Sequence, residues 1–79
     1  MKMDIQNLVK MANQIGDFFE SMPDREEATH EIALHLKKFW APAMRRELLG
    51  HVDGNTEPGL KAIVLNAIRI HRNEIQPGT

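Results

Sequence analysis

The four histidines have the broadest chemical capability in this sequence, because imidazole binds metals and exchanges protons near neutral pH. His30 and His35 are five residues apart, on different sides of one helix, whereas paired metal ligands on a helix stand four apart. Glu31 and His35 are one turn apart, but a single carboxylate–imidazole pair at that spacing is usually a surface contact. The spacing therefore predicts no metal site and favours His35 as a core or interface side chain.

Nucleophilic catalysis has few candidate residues. The chain has no cysteine and no Gly-rich phosphate loop, and its one serine, Ser21, precedes a proline in a segment that ends a helix. A chain of 79 residues also offers little room for a walled pocket of the usual several hundred cubic ångströms. We therefore expect a protein that is not an enzyme by itself, with no catalytic, cofactor-binding or metal-binding residues.

The segment 39–46, Phe-Trp-Ala-Pro-Ala-Met-Arg-Arg, combines the single tryptophan with a proline and paired arginines. Aromatic residues and arginine are enriched at interface hot spots, while a tryptophan is also the largest side chain around which a small core can form. With Lys37 and Lys38 nearby, the arginines form a solvated helix face, a set of partners for carboxylates on another protein, or a nucleic-acid-binding patch, in that order of preference.

Composition narrows the class of protein. Ten basic and eleven acidic residues give a net charge of −1, which argues against a general nucleic-acid or membrane-surface binder. No apolar run approaches the roughly 20 residues that span a bilayer. The N-terminus lacks a signal-peptide pattern, and we expect a cytoplasmic protein without disulfides.

Apolar residues recur at spacings of three and four, which predicts an all-α fold: one domain, residues 1–79, folded as a small bundle that begins with an antiparallel hairpin. Asp4 and Asp24 are predicted N-caps, and Pro42 predicts a bend followed by a new helix. Thr56 is predicted to cap the last helix. Gly16 lies inside a helical pattern and favours close approach of a neighbour. The predicted helices span about 4–21, 25–40, 42–51 and 57–74, with a flexible tail at 75–79.

The second helix should present Phe39 to the core, on one stripe with Ile32 and Leu36. Trp40 is rotated from Phe39 by roughly 100° on a helix, and should point to a second surface shared with Met44 and the arginines. A chain this short cannot easily bury all its large apolar residues, so we expect an exposed apolar patch that marks an interaction site.

Two segments carry a resemblance to a known family. Residues 7–19, Asn-Leu-Val-Lys-Met-Ala-Asn-Gln-Ile-Gly-Asp-Phe-Phe, are followed by Met-Pro-Asp-Arg at 22–25, and His-Leu-Lys-Lys-Phe-Trp-Ala-Pro-Ala-Met-Arg occupies 35–45. In this order and spacing, the sequence closely resembles the delta subunits of NAD-dependent, molybdenum- or tungsten-containing formate dehydrogenases. Ala43 stands where the family often has an arginine.

The resemblance implies an accessory subunit of a cytoplasmic formate dehydrogenase. Molybdopterin, iron–sulfur clusters, flavin and NAD would reside on other subunits, and this chain would bind the large catalytic subunit and support assembly, maturation or stability. The alternative is a helical regulator that associates with itself, or a small DNA-binding protein; the isolated chain could also self-associate. The residues expected to contact a partner are Met11, Phe18, Met22, Arg25, Trp40, Met44, Arg45 and Arg46.

Overall fold

The computed structural model describes residues 4–78, and all the regular secondary structure in this range is helical. The helices are α1 (Ile5–Phe19), α2 (Arg25–Phe39), α3 (Pro42–Gly54), α4 (Ala62–Ile70) and α5 (Arg72–Ile75). The prediction of a small all-α bundle is confirmed. Residues 1–3 and 79 lie outside the described residues. Both ends of the predicted domain 1–79 and the last residue of the predicted tail therefore lie outside them as well.

Two aspartates begin the hairpin helices, as the sequence predicts. The Asp4 carboxylate accepts a hydrogen bond from the Gln6 backbone N–H at 3.0 Å. The Asp24 carboxylate accepts from the N–H groups of Glu26 and Glu27 at 3.0 and 3.3 Å. Each cap satisfies backbone donors that have no partner within the helix.

Helix α2 packs against α1, α4 and α5, and α1 and α4 also pack against each other. Its inward face includes small residues, which let the neighbouring helices approach closely. The buried residues of α2 and its C-cap are Ala28, Thr29, Ile32, Ala33, Leu36 and Trp40.

Close approach of α1 and α4 depends on Gly16, as its position in the sequence predicts. A Cβ atom at Gly16 would lie 2.7 Å from Cγ2 of Val64, a fully buried side chain. Real side chains do not tolerate that distance, so the Val64 side chain or one of the two helices would have to shift.

The ends of α1 and α3 differ from their predicted positions by a few residues. Helix α1 ends at Phe19 rather than near 21, and the hydroxyl of Ser21 donates to the Phe18 carbonyl oxygen in the turn that follows. Helix α3 continues from 51 to Gly54, and the side-chain amide of Asn55 donates to the His51 carbonyl oxygen at 2.8 Å. Such local side-chain bonds satisfy the free carbonyls at helix ends.

The predicted start of the fourth helix, at 57 with Thr56 as its cap, is wrong. Residues 55–61 form a loop, and Gly59 adopts a positive φ of 81° that is incompatible with helix. The Asn13 side chain of α1 donates to the Gly59 carbonyl oxygen at 3.0 Å and accepts from the Lys61 N–H at 2.9 Å. These bonds hold the loop in a non-helical conformation until Ala62.

The predicted continuous helix to 74 is interrupted at His71, whose φ and ψ of −110° and 28° are not helical. The chain then forms α5, which turns Ile75 into the core with no exposed surface. The predicted flexible tail, 75–79, is therefore wrong at its first residue, Ile75. The flexibility of the residues that follow stays a prediction.

The assignment of Phe39 to the core and Trp40 to the surface is also wrong. Trp40 is 5% exposed and Phe39 is 71% exposed. Phe39 is the last residue of α2 and Trp40 is its C-cap, so helical spacing alone does not decide which of the two enters the core. Trp40 has an extended backbone, with ψ of 134°, and closes the end of the core before Pro42 begins α3.

Gly16→Ala should destabilise the fold. Overpacking costs about 1–3 kcal/mol, and the better helix propensity of alanine returns about 1 kcal/mol, so a net loss of about 1 kcal/mol is expected in urea unfolding followed by helical circular dichroism. Gly50→Ala is the matched control, because no atom lies within 4 Å of a Cβ there, and it should stabilise by up to about 1 kcal/mol. Equal effects of the two changes would contradict the close approach at Gly16.

Trp40→Ala should lower the free energy of unfolding by about 3–5 kcal/mol, since it removes the aromatic side chain that closes the core. Phe39→Ala should change it by less than about 0.5 kcal/mol, because that side chain is mostly in solvent. Thermal and urea unfolding of the two variants measures the difference. A Phe39→Ala variant less stable than Trp40→Ala would show that the buried side of α2 is assigned incorrectly.

Candidate functional site

A surface hollow with a mainly apolar lining lies between α1 and α2, is open to solvent along one side and has a volume of about 390 Å³. We call it the hairpin groove. It is lined by Met11, Gln14, Ile15, Phe18, Phe19, His35 and Trp40.

Antiparallel packing of the hairpin positions these side chains. Met11 from the first half of α1 meets Trp40 at the end of α2, while Phe19 at the end of α1 faces His35, with ring centroids 6.2 Å apart. On α1, the residues at 11, 15 and 18 recur at helical spacing beside the core stripe of Leu8 and Ala12. The groove is thus the outer margin of the same contact that forms the core.

Four rings form a continuous row, which we call the aromatic row: Phe18, Phe19, His35 and Phe39. The first three line the groove, and Phe39 lies beside the His35 ring without lining it. Phe18 and Phe19 meet edge to face at 4.9 Å, and the His35 ring lies 4.8 Å from that of Phe39. Such aromatic pairs are favourable beyond the area they bury. The two ends of the row are the most exposed, with Phe18 at 74% and Phe39 at 71%.

The groove offers contact surface rather than reactive groups. Gln14 and His35 are the only polar side chains that line it. Within residues 4–78 no group of three histidine, aspartate or glutamate side chains could hold a metal ion. The arrangement suits burial of apolar side chains from another molecule.

Of the residues predicted to contact a partner, the groove brings together Met11, Phe18 and Trp40. Trp40 contributes to its wall while being almost wholly buried. Met22 and Met44 are half-buried and pack against the core cluster. The apolar part of the predicted set is therefore divided between the groove and the core.

The predicted arginines do not line the groove. Arg25 is exposed at the first position of α2. Arg45 is partly buried, and its Nη1 donates to the Ile75 carbonyl oxygen at 3.1 Å, which ties α3 to the end of α5. Arg46 is exposed and borders two other hollows, one of them shared with Asp53 and Arg72. The structure thus gives Arg45 a contact within the fold.

Sequence reasoning missed Phe39 as a surface residue and did not place His35 in a groove. The sequence feature that could have indicated exposed aromatic residues is the pair of doublets Phe18-Phe19 and Phe39-Trp40. Neighbouring residues on a helix point about 100° apart, so a narrow core face takes one member of each doublet and leaves the other outside.

Ion pairs lie away from the groove. The Lys61 ammonium pairs with the carboxylates of Asp17 and Glu20, the latter at 2.7 Å, and the hydrogen bonds that it donates, chiefly to Asp17 and then to Glu20, raise the pKa of Lys61. The Arg72 guanidinium donates to both oxygens of Asp53, at 2.9 and 2.7 Å. These hydrogen bonds lower the pKa of Asp53 and raise that of Arg72.

No helix within residues 4–78 is long and apolar enough to cross a membrane. The fold and the site together define a small helical-hairpin protein with an exposed aromatic groove.

Residues 7–68 match the family model described as NADH-dependent formate dehydrogenase delta subunit FdsD, which covers more than three quarters of the chain. The chain belongs to this family, and the resemblance carried by its two sequence segments is confirmed. Comparison with curated proteins and with solved structures found no match.

The Asp53–Arg72 pair should give the fold a defined acid dependence. Because the folded-state pKa of Asp53 lies below its ordinary value of 3.8, the pair stabilises the fold above that value. Its contribution is lost as the pH falls through the folded-state pKa. Asp53→Asn should therefore lower the melting temperature at pH 7 slightly, since the pair is exposed, and the difference from wild type should vanish in acid.

Thermal melts of wild type and Asp53→Asn, run side by side from neutral pH to about pH 2, measure this difference. Glu57→Gln is the control, because Glu57 is exposed and forms no ion pair within residues 4–78. A difference between wild type and Asp53→Asn that stayed constant with pH would count against the proposed linkage.

Proposed function

We propose that this chain is a non-catalytic accessory subunit that binds the large catalytic subunit of a cytoplasmic formate dehydrogenase through the hairpin groove. Binding there would support assembly, maturation or stability of the complex. Membership of the delta subunit family supports association with such a complex. The hairpin groove is the observation on this chain that carries the proposal.

The groove has the features of a protein-binding surface. Isolated exposed apolar residues are normal on any protein, but here two phenylalanines lie at the ends of one row of rings beside an apolar hollow. Aromatic residues dominate the energetics of interfaces, and they act best where surrounding contacts exclude water. A partner that covers the hollow would enclose Phe18 and Phe39 in this way.

The first half of α1 supports the same surface. Met11 is half-buried in the wall of the groove. Methionine is flexible and polarisable, so it adapts its shape to the side chain that a partner inserts. Gln14, at the rim, offers an amide that can both donate and accept a hydrogen bond and so orient that partner.

We place the cofactors of the enzyme on other subunits. Iron–sulfur clusters are held by cysteine thiolates, and this sequence has no cysteine. The described residues also lack a set of three side chains that fits a metal ion, and the groove that would have to enclose a pterin or flavin is open and apolar. The donor groups of this chain therefore do not fit the molybdopterin, iron–sulfur and flavin chemistry of the complex.

Co-purification from cells that make the whole enzyme tests the proposal. A tagged wild-type chain should retain the large subunit at physiological salt. Phe18→Ala and Phe39→Ala should each weaken binding of the large subunit by about 2 kcal/mol, as expected of hot-spot residues, and so reduce the amount that is retained. The helical circular dichroism of each variant should be unchanged.

Ile70→Ala is the matched control, because Ile70 is a large apolar residue that is 67% exposed on α4 and does not line the groove. It should leave retention unchanged. If the wild-type chain never retains the large subunit, the proposed function is wrong. If both phenylalanine variants retain it fully, another surface makes the contact.

A further inference from the structure

We propose that the free chain pairs with a second copy of itself through the hairpin groove, as a two-fold dimer in which the α2 helices lie antiparallel. This inference concerns the chain without its larger partners, and it does not depend on which protein binds the groove in the complex. It arises from the charges beside the aromatic row and from the size of the exposed surface.

The charged residues that flank the groove on α2 are self-complementary, because the acidic residue of one copy can pair with the basic residue of a second copy. Glu31, His35 and Lys38 follow one another at helical spacing and share one side of the helix. His35 lines the groove, so Glu31 lies one turn before it and Lys38 one turn after it. Neither Glu31 nor Lys38 forms an ion pair with another of residues 4–78.

A two-fold axis beside His35 brings these charges together. Glu31 and Lys38 are separated by about 10 Å along the helix axis, and their midpoint lies next to His35. When two copies of α2 run antiparallel across an axis at that point, Glu31 of each copy faces Lys38 of the other. A two-fold interface repeats every contact twice, so one acid and one base supply two ion pairs.

The other parts of the surface suit a like partner better than a strongly charged one. The groove lining is uncharged, and the whole chain carries a net charge of only −1, so two copies do not repel each other strongly. In the proposed dimer the aromatic rows of the two copies share the interface, because the axis lies beside His35, whose ring is part of the row.

The exposed area sets the strength of the pairing. Two phenylalanines that are 74% and 71% exposed present on the order of 300 Å² per copy. Specific interfaces bury at least about 600 Å² on each partner, so these two rings supply about half of that area and the rest must come from the residues around them. We therefore expect a weak dimer, from which a larger partner displaces the second copy.

Sedimentation equilibrium of the purified full chain at low salt, from about 10 µM to about 1 mM, tests the inference. The average mass should rise from that of one chain, 9.0 kDa, towards twice that value and no further. Phe18→Ala and Phe39→Ala should each weaken association about tenfold, whereas the matched control Ile70→Ala should leave it unchanged. Helical circular dichroism of each variant confirms that it is folded.

Charge exchange tests the two-fold geometry. Lys38→Glu and Glu31→Lys alone should each weaken association about threefold to tenfold, because each creates two like-charge contacts. The double exchange, Glu31→Lys with Lys38→Glu, should restore wild-type association. A chain that stays monomeric throughout, a dimer that Ile70→Ala abolishes, or a double exchange that fails to restore pairing would each overturn the inference. Failure to retain the large subunit in co-purification would count against the proposed function and not against the dimer.

Discussion

The packing of α2 against α1, α4 and α5 is the constraint on which the rest of the structure depends. Small side chains at Ala28, Thr29 and Ala33 let α1, α4 and α5 approach it together. Thr29 is the one polar residue among the described buried ones, and its hydroxyl donates to the Glu26 carbonyl oxygen at 2.9 Å, so this hydroxyl is satisfied inside the core. With this face of α2 occupied, Trp40 lies inside and Phe39 is left outside.

Polar side chains fasten the connections that this packing requires. Asn13 binds both sides of the Gly59 turn, and the His51 ring lies 2.8 Å from the Pro58 carbonyl oxygen. Since a carbonyl only accepts, Nε2 of His51 carries the proton, and Nδ1 is free to accept from the Asn55 amide. The loop between α3 and α4 is therefore held by α1 and α3, which sets where α4 begins.

The hairpin groove is a consequence of how few elements this chain has. Helices α1, α4 and α5 pack against α2, and α3 packs against α1, so the outer margin of the hairpin stays uncovered. That margin carries the aromatic row and an apolar hollow. An exposed apolar surface of this kind is expected to bind another protein chain. A larger partner and a second copy of this chain would compete for it.

By itself the sequence determined the all-α class, both aspartate caps and the family, because each of these depends on residues close together in the chain or on ordered motifs. Only the tertiary structure decided that α4 begins at Ala62, since Asn13 reaches the loop from 46 and 48 residues away. It also decided which of Phe39 and Trp40 is buried. Helical spacing fixes the angle between two side chains, but the helices that pack against α2 determine which direction is inside.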